Sequence, residues 1–135
     1  VPELGVTAGD ALLATHRSYL NVVKPLLAQG AVKGMAHITG GGITENLPRV
    51  LPDGCAARID RSTWVVPPLF TFIQERGGIA PDEMFRAFNM GIGLILVCER
   101  GRRDEVLRML ADAGERDAVV IGDVVGGAGD VRYSS

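Results

Sequence analysis

The stretch Met35 to Pro52, MAHITGGGITENLPRVLP, constrains this chain more than any other. An apolar, strand-like segment with Met35, Ala36 and Ile38 runs into three consecutive glycines, and these lead into a short helix carrying Glu45, Asn46 and Arg49. Three adjacent glycines add nothing to a core and lose more freedom on ordering than any other triplet. Their use is therefore backbone shape and close approach to something else, which points to a ligand.

The rest of the chain reads as a frame for that turn. Residues 1–15, punctuated by Pro2, Gly5 and Gly9, read as an arm or linker with at most a short turn of helix. Residues 16–135 form the domain. His16 to Leu20 is a short extended piece, Asn21 is the N-cap of a helix ending at Gly30, and Pro25 falls in or next to its first turn. Ala31 to Thr39 is a strand. Beyond the motif, Cys55, Ala57 and Ile59 alternate with Ala56, Arg58 and Asp60 as in a strand. Helices begin at Pro67-Pro68 and at Pro81, the first closed by Gly77-Gly78. Gly91 to Glu99 reads as a central strand, Arg102 to Ala113 as an amphipathic helix with Gly114 beyond its end, and Ala118 to Val125 as another buried strand. Val131 to Tyr133 is a last short strand.

The order β-α-β-α-α-β-α-β-β predicts an α/β domain, with a mixed sheet and helices packed on it. Aromatic residues make up only 5% of the chain while 47% is hydrophobic, so the core is built from Val, Leu, Ile, Ala and Met. A net charge of -2 gives no field to attract nucleic acid. No run reaches the roughly 20 apolar residues of a membrane span. Cys55 and Cys98 lie in apolar runs and read as buried, inert thiols of a reduced, cytoplasmic protein. The start at Val1-Pro2, without an initiator Met, suggests a piece of a longer protein.

Chemistry concentrates at the glycines. A glycine turn between strand and helix presents backbone N–H groups to an anion, and Gly40, Gly41 and Gly42 fit that description as well as they fit a tight structural turn. Arg49 could face the same anion or a surface carboxylate. His37 is either a hydrogen-bonded core histidine or a ligand-positioning, proton-transferring group at the strand's end. Glu45 complements the helix N-terminus, and Asn46 invites a side-chain contact. In Phe88-Asn89-Met90-Gly91-Ile92-Gly93, glycines at 91 and 93 leave either a flat place for a substrate or room for packing. Arg100 to Arg103 reads as a solvated turn. His16, His37, Cys55 and Cys98 lack metal-ligand spacing, so no metal site is read here.

AHITGGGITENLPRVLP at 36–52, together with FNMGIG at 88–93, resembles the C-terminal half of phosphoribosylformylglycinamidine cyclo-ligases, the aminoimidazole ribonucleotide synthetases, over about residues 16–125. The resemblance implies a partly ferredoxin-like α/β domain. It also implies ATP-dependent ring closure of formylglycinamidine ribonucleotide in purine synthesis, and a homodimer formed through an N-terminal half that holds most of the ATP and Mg2+ machinery. Carried over residue by residue, Thr39, Gly40, Gly41, Gly42 and Arg49 become candidates for holding a phosphate, His37 and Asn46 for orienting the reacting amide or amidine, and Asn89 and Gly91 for lining the cleft. Two other readings stand beside it. One is a sister ATP-dependent synthetase with a different acceptor; the other is a free-standing ligand-binding or dimerisation module.

Overall fold

The computed structural model describes residues 1–134. The arm contains one short helix, α1 (Ala8–Leu12), capped by the Thr7 hydroxyl accepting from the Asp10 N–H. The body follows as α2 (Leu20–Ala28), β1 (Gly34–His37), α3 (Gly42–Asn46), β2 (Cys55–Asp60), α4 (Pro68–Gly77), α5 (Pro81–Ala87), β3 (Leu94–Val97), α6 (Arg103–Asp112), β4 (Gly122–Gly126) and β5 (Val131–Ser134). Short 3-10 turns occupy Leu47–Val50, Arg61–Thr63 and Arg100–Arg102.

The strands fall into two sheets. β1 and β3 form an antiparallel pair in which His37 faces Leu94 and Ala36 faces Ile95. The other sheet is mixed, with β2 central, antiparallel to β4 and parallel to β5. Alternation along β1 sends its side chains to two layers. Leu94 and Leu96, on one face of the pair, pack with Val22, Val23 and Leu26 of α2 and Val106 and Leu110 of α6. On the other face Ala36, Ile38 and Ile95 meet Ile43 and Leu47 beyond the glycines and Ala57 and Ile59 of β2. Fully buried Ile38 and Ile43 each contribute on the order of 1.5–3 kcal/mol through the area they remove from water. The glycine turn is thus tied to the core on both sides.

Several expected boundaries shift. α2 starts at Leu20 with Tyr19 as its N-cap, so Asn21 lies inside the first turn and Pro25 is an interior residue. The strand expected from Ala118 is ordered only from Gly122, and Val119 and Val120 are exposed instead of buried. A Cβ at Gly122 would run into the Arg58 carbonyl, so it is a glycine that lets the start of β4 approach β2. Neither cysteine is fully buried: Cys55 opens β2 and Cys98 follows β3, both half-covered. Desolvation still pushes the Cys98 thiol up, which keeps it protonated and unreactive. The arginine turn at 100–103 is solvated as expected, and its side chains are paired at the surface. Arg100 pairs with Asp123, Arg102 with Glu105 and Arg103 with Asp104.

The arm buries none of its helix, and Leu12 and Leu13 remain 64% and 85% exposed. Its ion pair to the body, Glu3 with Arg76 at 3.6 Å, joins two exposed side chains and holds it weakly. Weak, concentration-dependent self-association through this apolar segment is expected in sedimentation experiments, and a clean monomer at high concentration would count against it.

Candidate functional site

The backbone turns sharply after β1 because Gly41 and Gly42 take left-handed conformations, with φ of 96° and 56°. Gly42 is fixed by packing as well: a side chain there would strike the carbonyls of Phe85 and Phe88 at the end of α5. Gly40 differs. It lies at the surface, outside the left-handed region, and a Cβ there would meet nothing within 4 Å. Its N–H and that of Gly41 find no acceptor among the described residues, whereas the Gly42 N–H turns back to the Thr39 carbonyl.

Asn46 holds this turn from beneath. Its side chain is 5% exposed, and its amide nitrogen donates to the carbonyls of Gly42 at 2.8 Å and Gly40 at 3.1 Å, with Thr39 at 3.5 Å. A buried amide surrounded by carbonyl oxygens explains why asparagine occupies a helix position for which it has little intrinsic preference. Pro48, without an N–H, then prevents α3 from continuing, and the chain tightens into the 3-10 turn that carries Arg49.

The second motif joins the first. Thr44 Oγ1 donates to the Phe85 carbonyl at 3.3 Å, and the Ile38 N–H bonds the Gly93 carbonyl at 3.0 Å, so the segment from α5 to β3 borders the glycine turn at both ends. Asn89 Oδ1 accepts from the Gly91 N–H at 3.0 Å, closing a local turn in which Met90 takes a left-handed φ of 51° while buried. Trp64 secures this unusual backbone by donating Nε1–H to the Met90 carbonyl at 3.0 Å. The room left at Gly91 and Gly93 is used for packing: Pro67 fills the first, and Tyr19 with His16 the second.

His37 is not a core histidine. It is exposed at the end of β1, and its Nε2 lies 2.9 Å from Nε2 of His16. Thus Thr39, Gly40, Gly41, Gly42 and Asn46 form one turn with His37 beside it on the strand, and Asn89 and Gly91 lie in a second turn just after Phe88, whose carbonyl packs on Gly42. Arg49 stands apart. Exposed and without an ion pair among the described residues, it lines a cleft of about 930 Å³ between β3, α6 and residues 117–124. Gly91 reaches that cleft as well, but the three glycines of the turn do not line it. The walls of this cleft are mostly aliphatic, and the polar backbone chemistry is at the glycines.

Sequence reasoning passed over the support behind α3. The Arg61 guanidinium lies over the adjoining rings of Phe85 and Tyr133, 4.2 and 4.3 Å from their centroids, and pairs with Asp82 at 2.8 Å. Tyr133 shares a 2.8 Å hydrogen bond with the Thr44 hydroxyl, and burial pushes its phenol up against the opposing influence of that bond and of Arg61, so it stays neutral. Arg61 and Tyr133 are far from the glycines in sequence, and their roles follow from β5 lying parallel to β2. The available signal was an arginine at the end of a strand followed by a tyrosine in the last one.

Comparison with known proteins agrees with this architecture. The E. coli hydrogenase maturation protein HypE superposes with a TM-score of 0.64 at 25% identity, over 87% of this chain and 36% of that one. The α/β fold is therefore shared with a part of that protein. The family of AIR synthase related proteins, C-terminal domain, matches residues 1–134, and the chain belongs to it. The phosphoribosylformylglycinamidine cyclo-ligase of Alkaliphilus metalliredigens is 47% identical over 131 residues, covering 97% of this chain and 38% of that protein. The enzyme of the same name from Desulfitobacterium hafniense is 48% identical over 132 residues, covering 98% and 39%. The chain spans about two fifths of the length of these relatives. Among the described residues no helix is long and apolar enough to cross a membrane.

Proposed function

We propose that this chain is the C-terminal part of an ATP-dependent cyclo-ligase that converts formylglycinamidine ribonucleotide to aminoimidazole ribonucleotide, acting in the cytoplasm as a homodimer. The observation that carries the reading is the turn itself: the Gly40 and Gly41 N–H groups, which have no acceptor among the described residues, beside exposed Gly40, where a Cβ would meet nothing within 4 Å. Such a turn lets an anionic oxygen approach the backbone closely. Relatives at 47 and 48% identity favour the cyclo-ligase over a hydrogenase-maturation role, for which the likeness is 25%.

In this reading ATP, with Mg2+, supplies the phosphoryl group that turns the amide oxygen of the substrate into a leaving group, and the amidine nitrogen closes the imidazole ring, releasing ADP and phosphate. The turn binds a phosphate through the Gly40 and Gly41 N–H groups, and Thr39 and Asn89 border it. His37 faces the ligand and orients the amide or amidine. Asn46 acts through the turn, since its amide nitrogen is already directed to three carbonyls. In this reading Mg2+ and most ATP contacts belong to the N-terminal part. The 135-residue chain assayed alone is therefore expected to form no aminoimidazole ribonucleotide; turnover near that of a complete enzyme would refute the division of labour.

Arg49 contributes a cation on the neighbouring cleft. In the longer enzyme, Arg49→Ala is expected to weaken binding of the phosphate-bearing substrate by about 1.5–3 kcal/mol, the loss of one charge-assisted contact. Calorimetric titration reads the loss directly. Because the side chain is exposed and makes no ion pair among the described residues, the melting midpoint should barely move. A collapsed midpoint with normal residual binding would make Arg49 structural.

A further inference from the structure

We propose that His16 is a positioning residue for His37: their Nε2 atoms share one proton, which holds the two rings in opposite tautomers. This rests on the reading of His37 as the ligand-facing group of the motif. The two Nε2 atoms are 2.9 Å apart, with ring centroids 4.7 Å apart and planes at 75°. A neutral imidazole carries one N–H and one lone pair, so a hydrogen bond between two Nε2 atoms exists only when one bears the proton and the other does not. The proton of the second ring must then sit on its Nδ1. An exposed histidine at the end of a strand would otherwise sample rotamers and both tautomers. Here its Nδ1 is an acceptor when its Nε2 donates to His16 and a donor when its Nε2 accepts, so the character it presents beside the glycine turn is tied to His16.

His16 can do this because its own segment is pinned. Its ring meets Tyr19 edge-on at 6.1 Å, and Tyr19 occupies the space left by the absent side chain of Gly93. A Cβ at Gly93 would collide with the Tyr19 hydroxyl and press on His16 Cε1 at 3.3 Å. Arg17 pairs with Glu115, beyond α6, and its guanidinium lies 5.6 Å over the Tyr19 ring. The segment leading into α2 is therefore anchored at β3 and beyond α6, and the His16 ring is the part of it that reaches the motif. Gly93 then has a second use, as the gap through which this support enters.

Long-range 1H–15N spectra of the full enzyme at mildly alkaline pH test the pairing without reference to catalysis. One ring should show Nδ1–H and the other Nε2–H, and His16→Ala should return His37 to a tautomer mixture. The same mixture in both rings of the unmodified protein overturns the proposal. Kinetics test the consequence. His16→Ala should lower kcat about tenfold with KM little changed, His16→Gln should recover part of the loss, and His16→Ala should have no further effect in a His37→Ala background. A second, independent drop in that background overturns positioning through His37. Unimpaired turnover by His37→Ala overturns the ligand-facing reading of His37 and the catalytic consequence with it, while the spectra still decide the pairing.

Discussion

Gly42→Ala is expected to lower the denaturation midpoint more than any other single change at the turn. The substitution combines two costs at one atom. A residue with a Cβ resists the left-handed conformation, φ 56° here, by roughly 1–2 kcal/mol. The same Cβ would also be driven into the Phe85 carbonyl and to 2.7 Å from that of Phe88. These are backbone atoms at the end of α5 and cannot move without displacing the helix from α3; overpacking of this kind costs about 1–3 kcal/mol. Together the loss is about 2–5 kcal/mol, against a typical domain stability of about 5–15 kcal/mol. A denaturation midpoint within error of the unmodified protein would mean that the turn and α5 are not packed as described. Gly40 should tolerate the same change, because neither cost applies there.

The second large effect belongs to Asn46. Asn46→Ala removes the donor that faces the carbonyls of Gly40 and Gly42, leaving them without that bond beneath the turn, and is expected to cost about 2–3 kcal/mol. Asn46→Asp should be worse at neutral pH, since a carboxylate would confront the same carbonyl oxygens from a site only 5% exposed. Chemical denaturation gives the totals, and amide exchange at Gly40 to Gly42 locates the damage. If the aspartate variant is as stable as the asparagine, the amide is not the clasp of the turn.

Much of this site was legible because its determinants are local. Three glycines after an apolar strand announce a sharp turn, and Pro67-Pro68 and Pro81 mark helix starts that the structure keeps at Pro68 and Pro81. The joining of Gly42 to Phe85 was not legible, since nothing within either segment encodes that the end of α5 lies against the glycines. His16 was invisible for the same reason: it meets His37 across 21 residues through the docking of Tyr19 on Gly93. The apolar run at 118–121 looked like a strand because β-branched residues satisfy that pattern, but only the Ile121 carbonyl, accepting from the Asp60 N–H, joins β2 ahead of the regular register that begins at Gly122. Arg49, expected at the glycines, is carried to the neighbouring cleft by the 3-10 turn that Pro48 imposes.

In the proposed enzyme the glycine turn receives an anionic ligand. Gly40 is its cleanest probe, because a side chain there meets no protein atom within 4 Å and requires no left-handed backbone. Isothermal titration of the longer enzyme with ATP and with formylglycinamidine ribonucleotide, comparing the unmodified protein with Gly40→Ala, separates ligand approach from folding. The account predicts that the dissociation constant for one of the two rises at least about tenfold, roughly 1.4 kcal/mol, while the melting midpoint stays unchanged. Unaltered affinity for both ligands, at unaltered stability, would contradict it and leave the glycines as a structural turn.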